Sequence, residues 1–375
     1  MYIALFIPVL TFGGAEKVVI TLANGLAEKG HKVDLVLIKR EGQLIETVSD
    51  KVQLVPLGSK KTFLSVWKLR KYLQENKPNI LMSGLDNANI VSSLAMRTAN
   101  VKTKHIIALH TNLKQSYLRP RTKLHRFYPA MMRKLFPRAD HFVAVSNCVA
   151  KQSGNFLGLN NDRIEVIYNP VINSKIKEKS LEAVENPWLN DPNYFTMVAA
   201  GRIFEAKDYP TMLKAFAKVL PSAPHARLII LGDGKQTIRR EMENIISKEK
   251  MDHAVELRGF VHNPYAYISK ASLFVLSSRW EGFGNVLVEA LYLDKPVIST
   301  ACECGPEEIL LKGKFGSLVP VGKPDELAKA MLEQIQVKGS RDKEALSLHL
   351  MQMKEEYVVS KYEEFLKQRV EETKG

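Results

Sequence analysis

The chain alternates short apolar runs with longer stretches whose apolar residues recur every three or four positions. Residues 3–8 form an apolar run, 15–28 carry the wider spacing, 33–38 are apolar again, and 63–75 return to the wider spacing. Strand side chains repeat every two residues and helical ones about every 3.6, so the series predicts strand, helix, strand, helix. Apolar runs at 80–82, 105–109 and 142–145 add further strands. Such alternation predicts a parallel sheet covered by helices.

Residues 173–193 are polar and charged with few apolar anchors, the pattern of an interdomain connection with a surface excursion. A second series follows. Strands are predicted at 195–200, 227–231, 255–257, 273–276 and 297–299, with helices at 211–219, 236–248, 286–293 and 325–336. A chain of 375 residues, 45% hydrophobic and 25% charged, is too long for one ordinary core, and the two series predict two α/β domains. Their boundaries read as 1–172 and 173–356, with a final segment 357–375. Residues 346–370 are helical in pattern, and Tyr357, Tyr362 and Phe365 are its expected anchors. Ligands of open parallel sheets bind beyond the carboxyl ends of the strands, so two facing sheets would enclose one cleft.

The first eight residues read as a buried strand rather than a leader peptide, and no apolar span is long enough to cross a bilayer. The expected location is cytoplasmic. The net charge of +14 is unevenly placed: residues 87–139 contain no Asp or Glu but eleven Lys and Arg, among them Arg119, Arg121, Lys123 and Arg126. These cations interleave with Tyr117, Phe127, Tyr128, Met131 and Phe136, which suits an anionic membrane surface or an anionic acceptor. The alternative is a solvated basic face over ordinary core residues. No compact recognition motif accompanies the charge, which speaks against nucleic acid.

The chemistry concentrates in Glu281-Gly-Phe-Gly-Asn-Val-Leu-Val-Glu289, which follows a predicted strand and opens a helix. Gly282 and Gly284 let the loop backbone approach a ligand, and the free N–H groups around Asn285 and Val286 suit a phosphate. Gly201-Arg202 ends the first strand of the second series and Lys207 follows, two cations placed to neutralise a diphosphate. Gly232-Asp-Gly234 and Gly259-Phe260-Val261 follow later strands, where main chain can meet a nucleoside or base. Gly13-Gly14-Ala-Glu16 opens the first helix as either a phosphate loop or a plain turn. His110 ends a strand of the first series, as a sugar contact or a structural histidine. Cys302-Glu-Cys-Gly305-Pro-Glu307-Glu308 breaks the chain before a further helix. With no Asp-x-Asp pair and no His/Cys cluster at ligand spacing, phosphate stabilisation without metal is expected, and no cofactor.

In order along the chain, Gly13-Gly14-Ala-Glu16, His110, Val145-Ser146, Val166-Ile-Tyr-Asn169-Pro170, Gly201-Arg202 with Lys207, Leu231-Gly-Asp-Gly234, Gly259-Phe260, Glu281-x7-Glu289 and Gly305-Pro-x-Glu308 resemble a retaining glycosyltransferase of family 4, the glycosyl transferases group 1. The resemblance spans nearly the full length. It implies the GT-B architecture: an N-terminal Rossmann-like acceptor domain, a C-terminal Rossmann-like donor domain and a last helix crossing back to the first. It also implies donor-diphosphate contacts for Arg202 and Lys207, a ribose contact for Glu289, and contacts to the transferred sugar for Glu281 and His110. Phe283 falls within the same donor motif. Ser272 departs from the pattern, since many relatives carry Asp there.

Asn285 and the Gly305-Pro-Glu-Glu-Ile run resemble members that use UDP-hexoses or UDP-N-acetylhexosamines on lipid-linked or cell-surface glycans. The implied enzyme is a metal-independent hexosyltransferase taking a nucleotide sugar and a glycan or polyprenyl-diphosphate-linked acceptor. A GDP-mannose-dependent or other nucleotide-sugar transferase of the same fold, a nucleotide-sugar epimerase and a non-catalytic binding protein remain as alternatives.

Overall fold

The computed structural model describes residues 1–11, 13–59, 62–113, 124–336 and 341–372. The chain forms two compact units, Met1–Pro170 together with Gln352–Gly375, and Val171–Met351. The first holds seven strands, β1 (Tyr2–Ile7), β2 (Lys32–Leu37), β3 (Gln53–Pro56), β4 (Ile80–Gly84), β5 (Lys104–Leu109), β6 (His141–Ala144) and β7 (Ile164–Val166). They pair in parallel in the order β3-β2-β1-β4-β5-β6-β7. The second unit holds β8 (Phe195–Ala200), β9 (Ala226–Leu231), β10 (Val255–Gly259), β11 (Leu273–Leu276), β12 (Val297–Thr300) and β13 (Ser317–Val319), also parallel, in the order β10-β9-β8-β11-β12-β13. Both are doubly wound α/β sheets, as the alternation predicts.

The central strands read as unbroken apolar runs because helices cover both faces. Residues Ile3, Ala4, Leu5, Phe6 and Ile7 of β1 are all fully buried, with Ile3, Leu5 and Ile7 in one cluster and Ala4 and Phe6 in another. Helix Gly14–Glu28 lays Val18, Val19, Leu22 and Leu26 on the sheet.

The single helical pattern expected over 346–370 is two helices, Lys343–Met351 and Glu355–Glu371, broken where Lys354 turns extended at φ −72°, ψ 139°. The second helix buries Val358, Val359, Tyr362, Phe365 and Leu366 in the core of the first unit. Tyr357 is 44% exposed and is not an anchor, because it lies one position off that stripe. The polar stretch 173–193 contains two short helices, Ser174–Ser180 and Pro187–Asn190, and is pinned by buried Ile176 and Val184. Asn186 caps the second of these and donates to Glu256 at 2.7 Å.

Candidate functional site

In each sheet the strand order reverses between the first strand and its neighbour on the other side, at β1/β4 and at β8/β11. A crevice opens at such a point, where loops leave in opposite directions. In the second unit the reversal is spanned by an ion pair. Lys207, from the loop after β8, places Nζ 2.6 Å from Glu281 Oε1, from the loop after β11, and both side chains are largely buried. Ser278 Oγ donates to the same Oε1 at 2.6 Å. Glu281 Oε2 has no partner among the described residues and keeps its acceptor capacity.

The two loops are fastened at several further points. Ser277 Oγ donates to the carbonyls of Lys207 at 2.7 Å and Asp208 at 3.2 Å, and the Arg279 N–H donates to Ala206 at 2.7 Å. Arg279 also grips the buried Asp208 carboxylate through Nε at 2.9 Å and Nη2 at 3.0 Å. Behind the pair, burial and then the Glu281 charge push the Cys302 thiol up to about 12. Tyr209 donates to the Gly201 carbonyl at 3.0 Å; burial, reinforced by Glu281, raises its phenol well above the ordinary range. Arg202 is exposed and has no ion pair among the described residues.

The glycines are spaced by close backbone approach. Gly201, Gly232 and Gly259 end adjacent strands, Gly201 N–H donating to Leu231 and Gly232 N–H to Gly259. A Cβ on Gly232, at φ +140°, would lie 2.0 Å from the Gly201 carbonyl oxygen. One on Gly305, at φ +98°, would lie 1.8 Å from the Phe283 carbonyl oxygen, so the Gly-Pro break seats a second loop under the 281–285 loop. Gly284 caps helix Asn285–Tyr292 at φ +103°, and Gly282, Asn285 and Val286 stand partly exposed around that start. Phe260 is 46% exposed and Val261 follows it beyond β10. Glu289 has a separate partner, accepting from Tyr265 Oη at 3.4 Å, and burial raises that phenol with Glu289 adding to the shift.

Most of the residues singled out in the sequence thus gather at the carboxyl edge of the second sheet. Ser277, Ser278, Asp208, Arg279 and Tyr209 were not among them. A short polar run before Glu281 was the only local sign of the first two.

In the first unit, His110 follows β5 and packs over Gly84, where a Cβ would lie 3.2 Å from Nε2. Both ring nitrogens are buried without a hydrogen-bond partner among the described residues, and burial lowers the imidazole to about 4. At neutral pH the ring therefore offers one donor and one acceptor. Gly13 lies beneath the Glu16 carboxylate, which also accepts from Thr11 Oγ1 at 3.1 Å, and Gly14 is exposed at the helix start.

Of the basic window, Arg119, Arg121 and Lys123 lie outside the described residues; Arg126 is exposed. Elsewhere in the window Lys104 pairs with Asp140 at 3.7 Å and Arg133 stacks on Phe156 at 4.6 Å, while Tyr128, Met132, Leu135 and Phe136 are buried. Much of its apolar content is therefore core, set inward by helical spacing. Among the described residues no three His, Cys, Asp or Glu side chains gather as a metal site, and no helix is long and apolar enough to cross a membrane.

Residues 12–174 match the family model described as Glycosyltransferase Family 4, and residues 194–336 the one described as Glycosyl transferases group 1. An uncharacterized glycosyltransferase of Methanocaldococcus jannaschii is 30% identical over 253 residues, covering 65% of this chain and 61% of the relative. The N-acetylgalactosamine-N,N'-diacetylbacillosaminyl-diphospho-undecaprenol 4-alpha-N-acetylgalactosaminyltransferase of Campylobacter jejuni is 27% identical over 345 residues, covering 88% of this chain and 90% of the relative. Anabaena HepE, solved with UDP and glucose, has the same fold at a TM-score of 0.78 and 19% identity, covering 98% of this chain and 99% of that one. With its two halves matched in order and two doubly wound parallel sheets, the chain belongs to the family 4 glycosyltransferases and has the GT-B fold.

Proposed function

We propose that the second unit grips the diphosphate of a nucleotide sugar at the β8/β11 reversal. The enzyme then transfers a hexosyl or N-acetylhexosaminyl unit, from a UDP donor, to a hydroxyl of a lipid-linked or cell-surface glycan. The observation that carries this reading is the Lys207–Glu281 pair spanning the two loops. An ammonium has three N–H donors, so Lys207 can keep Glu281 and still present two to phosphate oxygens. Exposed Arg202 adds a planar fork for the same anion. Glu281 Oε2 is open to a sugar hydroxyl, and Glu289, one helical turn away from the loop, suits the ribose.

The difficult step is departure of the nucleoside diphosphate. Fixed cations where negative charge develops are the strongest lever on it, and they need no metal. The leaving phosphate oxygen can take the acceptor's proton on the same face of the sugar, which gives retention at the anomeric carbon. His110, neutral and with no partner for either nitrogen among the described residues, keeps a donor and an acceptor for the sugar contact that the resemblance implies for it. The Campylobacter relative's name describes an N-acetylgalactosaminyl transfer onto an undecaprenyl-diphosphate-linked glycan, and HepE was solved with UDP; both support the donor and acceptor classes. The expected place of action is the cytoplasmic face of a membrane, with the basic window toward anionic lipid or acceptor.

Turnover with a panel of nucleotide sugars, first without and then with polyprenyl-diphosphate-linked acceptor and with chelator present, tests the reading. Arg202→Ala with Lys207→Ala should lower transfer by about 10²–10³-fold, measured on protein that thermal melts show to be folded, since the loss of Lys207 also leaves Glu281 without its counter-ion. Undiminished transfer by that double variant would overturn the assignment, and epimerised donor without acceptor would replace it.

A further inference from the structure

Because the first sheet is all parallel, the connections after β3 and after β5 leave from one edge, the edge that carries His110. The connection after β3 leads into a short turn, Thr62–Leu64, and then helix Ser65–Asn76. Here three large apolar side chains face water within five residues: Phe63 is 39% exposed, Leu64 55% and Trp67 64%. Among the described residues the other exposed large apolar side chains of this unit, Phe127 and Tyr357, stand singly, which needs no explanation; a contiguous group of this kind does.

The face they occupy is graded along the helix. Leu69, Tyr72 and Leu73 point into the core, leaving Phe63, Leu64, Trp67, Lys68 and Lys71 outward. The apolar residues lead, and the cations follow within about one turn. Lys68 Nζ donates to the Gly58 carbonyl at 2.8 Å and keeps two further N–H groups; Lys71 has exposed Glu75 at 3.7 Å. Arg70 lies 5.7 Å from the Trp67 ring. From Val52 to Gln74 the sequence carries five Lys and Arg and no Asp or Glu. Helix Asp86–Ala99 packs against both the 62–64 turn and helix Tyr128–Leu135, and just ahead of the latter Phe127 is 64% exposed beside Arg126.

An aromatic and aliphatic tip backed by Lys68, which among the described residues bonds only to a main-chain carbonyl, and by Lys71, whose Glu75 partner is itself exposed, is complementary to an apolar interface of negative charge. We propose that the 63–67 tip inserts into an anionic lipid bilayer, Phe63, Leu64 and Trp67 reaching the acyl boundary while Lys68 and Lys71 meet lipid phosphates. The proposal takes its purpose from the lipid-linked acceptor reading, because it brings the His110 edge of the first sheet to the surface where such an acceptor's diphosphate lies.

The test uses the full chain without donor or acceptor. It is sedimented with phosphatidylcholine vesicles, with and without phosphatidylglycerol. The wild type should bind the phosphatidylglycerol vesicles; Leu64→Ser with Trp67→Ser should bind at least about tenfold more weakly, and Lys68→Glu with Lys71→Glu also about tenfold more weakly. Tryptophan emission should shift to the blue on binding, and Trp67→Phe should sediment yet lack that part of the shift. Thermal melts confirm that each variant folds. The proposal fails if the wild type ignores both vesicles, or if the Leu64/Trp67 variant binds like wild type. It also fails if the patch proves to hold two copies of the chain together, seen as a larger species that the Trp67 change dissolves. UDP binding is read on the same samples: its absence from the wild type would defeat the donor reading alone, and its loss only in the vesicle-defective variants would defeat the surface role.

Discussion

Asp208 holds a left-handed backbone, φ +48°, that glycine would adopt at less cost, and it does so next to Lys207. What compensates is its side chain. The carboxylate, 2% exposed, is forked by Arg279 and accepts from Thr211 Oγ1 at 2.8 Å. Removing Arg279 leaves that carboxylate buried without its counter-ion, whereas removing both leaves nothing to desolvate. Arg279→Ala should therefore cost about 2 kcal/mol, less than for a fully buried pair because Arg279 is itself 44% exposed. Asp208→Gly with Arg279→Ala should recover most of that loss and also relieve the backbone, yet bind UDP more weakly than wild type, since Lys207 is then less firmly placed. Denaturant melts and UDP titration of the three variants check this; a double variant no more stable than Arg279→Ala would refute the buried-charge account. Such couplings lie beyond sequence reading. The glycines and glutamates of 281–289 declare themselves because their spacing is local, but Lys207 and Glu281 are 74 residues apart and meet only because β11 lies beside β8.

Between elements, the closest test of packing is where helix Gly14–Glu28 meets helix Glu355–Glu371. A Cβ on Gly25 would lie 2.6 Å and 2.9 Å from the two γ-carbons of Val359, a β-branched side chain with little freedom to turn away. Gly25→Ala should gain helix propensity but lose more to overpacking, a net cost of about 1–2 kcal/mol. Val359→Ala, destabilising alone by the cavity it leaves, should become nearly neutral in the Gly25→Ala background. Purely additive costs in that double-mutant cycle would mean the helices simply separate to admit the methyl. The apolar runs made both sheets legible, even at four residues in β6, β11 and β12, but β3, β7 and β13 lie at the sheet edges and are only partly buried, so their sequences carry no unbroken apolar run. Helix Asp86–Ala99 escaped notice because its buried face includes Asn89, Ser92 and Ser93, whose polar groups bond to neighbouring main chain and to His105 rather than to water. The break before Glu355 was hidden because apolar spacing continues across it.

For the whole molecule, acid should not weaken the two units equally. In the first unit, burial lowers both His105 and His110 to about 4, and His141 is also lowered by burial with Arg369 contributing; in the second, His349 is lowered by burial. His105 and His110 are held neutral in the fold while the unfolded chain takes up a proton near 6.5, and the lowered His141 and His349 act in the same direction. Unfolding therefore binds protons, and stability is full above about pH 6.5 and falls as pH drops toward 4, by at most roughly 1.4 kcal/mol per pH unit for each fully buried histidine. Glu363 moves the same way over a lower window. Its carboxylate, lowered to about 2 chiefly by hydrogen bonds from Lys367 and Lys29, contributes above 4.5 and is lost as pH falls toward 2, weakly because it lies near the surface. The net charge of +14 grows in acid as well, but that self-repulsion acts on the whole chain and does not select one unit. Hydrogen exchange at pH 7 and pH 5 separates the two causes: amides of β5 should lose more protection than amides of β9. His105→Gln, which keeps a polar group near Ser92 and removes the titration, should cut the pH slope of the first unit by about half. Equal losses in β5 and β9, or an unchanged slope in His105→Gln, would assign the acid sensitivity to general charge repulsion instead.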